Sequence, residues 1–193
     1  MMDHKKQREE KRSRDARVLR SQAALRDALV ALLRQHPLGT VTVQMIVAQA
    51  GVGYATFFRH HASIEALLLD IADTLIADFI RDAMPVLLAR DRAAMLAALT
   101  AFVADRQPVV RSLLVGGGET VRAALTSKAV AATAQLPLGF DAAVPSELAV
   151  VHAVTAAMNA IAWWLDSDSV ANGAVLSRLI ERLALAPLDQ EGS

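Results

Sequence analysis

Residues 42–67 read TVQMIVAQAGVGYATFFRHHASIEAL. Thr42 can cap a helix opening at Val43, because its hydroxyl accepts from N–H groups that the first turn leaves unpaired. Gly51 ends that helix after little more than two turns, by taking a left-handed backbone that side chains disfavour. A second short helix is expected over Tyr54 to His60, and Ser63 caps a third, with Glu65 near its positive end. Ile46, Val52 and Phe57 supply a core between the first two helices, and Ala50 is small enough to let them cross closely. Two short helices joined by a tight glycine turn are the parts of a helix-turn-helix, which lays its second helix in the DNA major groove. An ordinary helical hairpin uses the same parts.

The distribution of charge bears on the same choice. The 193 residues carry 20 Lys and Arg against 20 Asp and Glu, a net charge of zero. Before Leu67, however, 11 basic residues face 6 acidic ones, and from Leu67 onward 9 face 14. A basic head therefore sits on an acidic body, and such asymmetry points the head towards a polyanion. The first twenty residues are highly charged and lack the apolar core of a secretory signal, so a cytoplasmic protein is expected.

Outward from the quoted stretch, composition and period predict an all-α chain, with no alternating apolar and polar run to suggest strands. Ala28, Leu29, Leu32 and Leu33 follow the stripe of a helix running from about Arg14 until Pro37 and Gly39 stop it. Residues 1–13 are read as a basic flexible arm, 14–67 as the helix-turn-helix head and 68–193 as a helical body. Beyond Leu67, helices are expected over about 63–82, 91–105, 108–114, 119–135, 146–165 and 170–185. Leu148 to Leu165 contains no formal charge and has the length of a membrane span. Its His152, Thr155 and Asn159, its alanines and its lack of a basic flank make it a buried helix of a soluble protein instead.

Thr42, Ile46, Ala50, Gly51, Val52, Thr56, His60, Ser63, Glu65 and Leu67 stand in the register of a known pattern. In these positions the chain resembles the DNA-binding signature of tetracycline-repressor-like (TetR family) transcriptional regulators. The resemblance implies that Gly53, Tyr54 and Ala55 face base edges, that Thr56 and His60 approach phosphates, and that Thr42 and Gln44 touch the backbone or a base. A Thr hydroxyl is a natural phosphate donor and a Gln amide can pair with an adenine edge. The chain departs from the pattern at Phe58, where the family has a phosphate-binding Tyr, at Ile64 in place of Lys, at His61 in place of an aromatic, and at Gly53 in place of a capping Ser. The lost contacts are worth about 0.5–1.5 kcal/mol each when neutral and about 1.5–3 kcal/mol when charge-assisted. Arg12, Arg14 and Arg17, nearest the first helix, are the candidates to compensate along the DNA backbone.

Over the remaining two thirds the resemblance is looser. It implies a helical ligand chamber and a homodimer formed through about 146–185, whose two-fold axis requires a pseudo-palindromic operator on double-stranded DNA. His152, Thr155, Asn159 and Trp163 share one helix face by spacing alone, and a ligand, a dimer partner or neighbouring helices could each satisfy that polar stripe. Met84, Met95 and Met158 are candidates to line an adaptable pocket for an apolar or amphipathic small molecule.

The remaining chemistry is sparse. Without cysteine there is no disulfide or thiolate metal site. There is no nucleophile elbow, no phosphate-binding glycine loop and no pair of histidines one turn apart with an acid. No catalysis, metal or cofactor is expected. Two functional readings remain: a sequence-specific regulator, expected to be a repressor released by its effector, and a helical dimer whose DNA-binding head has decayed.

Overall fold

The computed structural model describes residues 2–89, 91–134, 136, 144–167 and 173–188; the side chains of residues 2–14 and of residue 87 lie outside the described set. Every element among the described residues is helical, and the chain divides into two units, Met1–Asp70 and Ile71–Ser193.

In the first unit, α1 (Met2–Leu33) packs against α2 (Val43–Ala50) and α3 (Tyr54–His60). Its start corrects the expected arm: residues 2–13 are helical backbone continuous with α1. That stretch contains neither Gly nor Pro and is rich in Lys, Arg, Gln and Glu, so nothing local stops the helix. Leu25, Leu29, Ile46, Phe57, Leu67 and Leu68 are all completely buried. The alternation of four-residue and three-residue steps along α1 brings its apolar side chains onto one face, and α2 and α3, too short to persist alone, are stabilised by burying their own against it.

The helix α4 (Ile64–Leu88) runs from the first unit into the second and outlasts its expected end near residue 82, with Pro85 inside it. The missing proline N–H deprives only the carbonyl one turn earlier, and Arg81 and Pro85 are both exposed, so water can take that bond. In the second unit follow α5 (Arg92–Asp105), α6 (Gln107–Arg111), α7 (Gly118–Thr133), α8 (Ser146–Asp166) and α9 (Gly173–Ile180). Asp91 caps α5 by accepting from Ala94 N at 2.9 Å. Two expected helices are shorter than their spacing suggested: α6 passes into a π turn over Ser112–Gly116, and α9 passes into a π turn over Glu181–Leu185 and a short 3-10 turn over Ala186–Leu188. Gly117 is needed at the first of these, since a Cβ there would lie 2.8 Å from Val121 and 3.0 Å from Ser112 O.

Length and composition make α8 the one described helix able to cross a membrane. Its Ala149, Ala153, Ile161, Trp164 and Leu165 are nevertheless buried in the protein, as in a core helix. The ion pair of Lys128 with Asp73 at 2.8 Å links α7 to α4, and Arg92 with Glu181 at 3.2 Å links α5 to the final turns.

Candidate nucleic-acid interface and ligand cavity

The turn between α2 and α3 is built as its residue types require. Thr42 Oγ1 accepts from Met45 N at 3.2 Å, which leaves its O–H able to donate outward. Gly51 takes φ 64°, and its N–H and that of Val52 close the end of α2 on Ala48 and Val47 carbonyls. Gly53 then starts α3 with no side-chain cap. A Cβ at Gly53 would meet only Thr56 Oγ1, at 3.9 Å, so a serine has room there. At α4, Ser63 Oγ accepts from Ala66 N at 3.2 Å. The Ser63 hydroxyl, followed by the Glu65 backbone N–H, holds the Glu65 carboxyl below its usual range.

With Phe57 fully buried, α3 turns its opposite side outward. Tyr54 is 57% exposed and Phe58 49%, their rings 5.1 Å apart. Gly53, Ala55, Thr42 and Gln44 are exposed, while Thr56 and His60 are half-buried. The structure thus brings Gly53, Tyr54, Ala55 and Phe58 onto one solvent-facing surface. Arg59 completes it, exposed one turn beyond Ala55. It was missing from the sequence-derived set although the helical period alone was enough to find it. Arg17 is exposed on α1; the side chains of Arg12 and Arg14 lie outside the described residues. The outward surface offers a phenol, a phenyl ring and a guanidinium, which can contact thymine methyls, base edges and phosphates.

The second unit holds a cavity of about 370 Å³, within the size range of small-molecule sites. Phe79, Met95, Phe102, Leu125, Met158 and Ile161 contribute to its apolar wall. Phe79 and Phe102 meet edge to face at 5.3 Å, and the Arg106 guanidinium covers the Phe102 ring at 4.0 Å. Its charged lining residues are Asp91 and Arg92, both exposed and therefore at its mouth. Asp91 is engaged as the α5 cap and Arg92 with Glu181.

The candidate ligand residues divide. Met95 and Met158 line the cavity, whereas Met84, His152, Thr155, Asn159 and Trp163 do not. His152 and Asn159 are exposed, Trp163 is 56% exposed and Thr155 half-buried, because Ala153, Val154, Ile161 and Trp164 occupy the inward side of α8. Asn159 and Trp163 instead border a surface groove with Gly118, Glu119 and Arg122. Leu148 and Val151 on α8 and Leu183 in the final turns are further large apolar residues left exposed, at 59%, 45% and 53%.

Residues 25–71 match the family described as bacterial regulatory proteins, tetR family. Among solved structures, a TetR transcriptional regulator from Streptococcus agalactiae 2603V is similar in fold, with a TM-score of 0.62 at 17% identity. That likeness covers 89% of this chain and 98% of the other. No curated protein matches the chain in sequence.

Proposed function

Because the chain belongs to the TetR family of bacterial regulators, we propose that it acts in the cytoplasm as a homodimeric repressor, released from a pseudo-palindromic operator by a small molecule. It is a DNA-binding transcriptional regulator; repression, effector and operator symmetry are the proposal. The observation that carries it is the outward face of α3, where Tyr54, Ala55, Phe58 and Arg59 stand exposed over a closed core. Tyr54 and Ala55, with Gly53, read base edges. Thr42, Thr56, His60 and Arg59 bind phosphates, Gln44 takes the backbone or a base, and Arg12, Arg14 and Arg17 follow the backbone beyond. A second copy covers Leu148, Val151, Trp163 and Leu183, with His152, Thr155 and Asn159 at the same contact.

The effector is an uncharged, mostly hydrocarbon molecule. An isolated charge inside an apolar cavity costs far more than the cavity returns, and the charged residues at the mouth already have partners. By preferring dimers whose heads are spaced wrongly for successive major-groove faces, it lowers DNA affinity by its differential binding energy.

Selecting sheared genomic DNA on the immobilised protein at about 0.15 M salt tests this, because screening there suppresses non-specific attraction. Fragments sharing a pseudo-palindrome are the expected result. Recovery without any shared site, also from protein stripped of bound small molecules, favours the decayed head, for which Phe58, exposed without a hydroxyl, speaks.

A further inference from the structure

His61 follows the recognition helix as its C-cap, in extended conformation at φ −136° and ψ 131°, its N–H donating to Phe57 O at 2.8 Å. Its ring turns inward beside Phe57, 6.0 Å between centroids, and the residue is only 7% exposed. Nε2 is buried and makes no hydrogen bond among the described residues. Asp70 Oδ2 lies 3.9 Å away, too far for one. Arg26 Nη1 reaches that same oxygen at 3.2 Å. One carboxylate on α4 is thus shared between a guanidinium from α1 and an imidazole at the end of α3, with the His60 ring 6.3 Å from that of His61. An apolar ring would fill this position without leaving a buried polar atom unpaired, so the histidine here carries a cost that packing alone does not explain.

We propose that His61 is a positioning residue of the DNA-reading head, whose neutral ring holds α3 against α1 and α4 and whose protonation releases DNA under mild acid. The proposal rests on the DNA-reading function argued above. Protonated Nε2 becomes a donor facing a carboxylate that Arg26 already holds. The charged ring either draws the carboxylate towards itself, in competition with Arg26, or leaves its burial site, and either movement shifts the C-terminal end of the recognition helix.

Burial pushes the His61 pKa below its ordinary 6.5; Asp70 opposes this, while His60 and Arg26 add to it. Above pH 6.5 the ring is neutral in both folded and unfolded chains, and the head has its full stability. As pH falls below that value the unfolded chain takes up the proton first, so stability is lost until the folded pKa is passed.

Affinity of the full-length protein for a selected operator fragment is measured at constant ionic strength from about pH 7.5 down to about pH 5.5, the range in which histidine titrates. The wild type is expected to weaken several-fold, His60→Gln to retain that loss, and His61→Phe and His61→Leu to lack it. Thermal unfolding over the same range and the imidazole resonances of His61 are recorded without DNA. Equal acid weakening in wild type and His61→Phe, or a His61 resonance titrating at or above 6.5, overturns the proposal. Failure to bind DNA at every pH overturns the regulator reading instead, and the unfolding and resonance measurements still decide the role of His61.

Discussion

The two units bury apolar side chains to opposite ends. In the head, Leu25, Leu29, Ile46, Phe57, Leu67 and Leu68 are buried completely, whereas the body leaves about 370 Å³ between helices lined by residues just as apolar. A unit that must match a stiff duplex within an ångström gains from a core with one arrangement, because close-packed interiors do not deform continuously. A unit that receives a small molecule must withhold some of that packing until the ligand supplies it. The difference in charge has the same logic: the surplus of basic residues lies before Leu67, in the unit proposed to meet the polyanion.

If the head is the closed unit, its central ring is the place to break it. Phe57→Ala is expected to cost about 3–5 kcal/mol, read as early unfolding of the head in urea with loss of DNA binding while the helicity of the body persists. A single coincident transition for both units would instead show that they do not melt separately. The open unit should respond to filling. An uncharged ligand at about one hundred times its Kd is expected to stabilise the protein by about 2.7 kcal/mol, measured as a rise in Tm. Ala157→Trp, which places a ring into the cavity, should remove that response without weakening operator binding. A charged homologue of the same ligand stabilising equally well would refute the neutral-effector assignment.

Smaller effects sharpen the account of the head. Gly51→Ala forces a side chain into φ 64° and should cost about 1–2 kcal/mol in chemical denaturation. Gly53→Ser supplies the cap that α3 lacks, in a site with room for it. A gain of a few tenths of a kcal/mol is expected, together with slightly tighter DNA binding; a loss in both would mean that the backbone at Gly53 approaches DNA too closely for a side chain.

Most of the head was legible because its signals are local. Thr42, Gly51 and Ser63 each act on backbone groups within four residues, so their roles follow from residue type and spacing, and the boundaries of α2 and α3 follow from them. The helix expected to end near residue 82 continues through Pro85, because the effect of a proline inside a helix depends on whether the deprived carbonyl can reach water, which is a property of the finished surface. The boundary at Arg14 misled because a charged stretch without glycine or proline has no stop signal, only a reduced need to be buried.

The sequence by itself determined that the chain is helical, that a glycine turn joins two short helices within a basic segment, and that His152, Thr155, Asn159 and Trp163 share a face. What that face meets was decided by tertiary packing: Ala149, Ala153, Ile161 and Trp164 took the inward side of α8, leaving the polar stripe outside the cavity. The same holds for His61, whose burial beside Asp70 and Arg26 depends on residues 9 and 35 positions away in the chain. Periodicity fixes which side chains stand together on one helix, but the environment of a side chain comes from the helices that close over it.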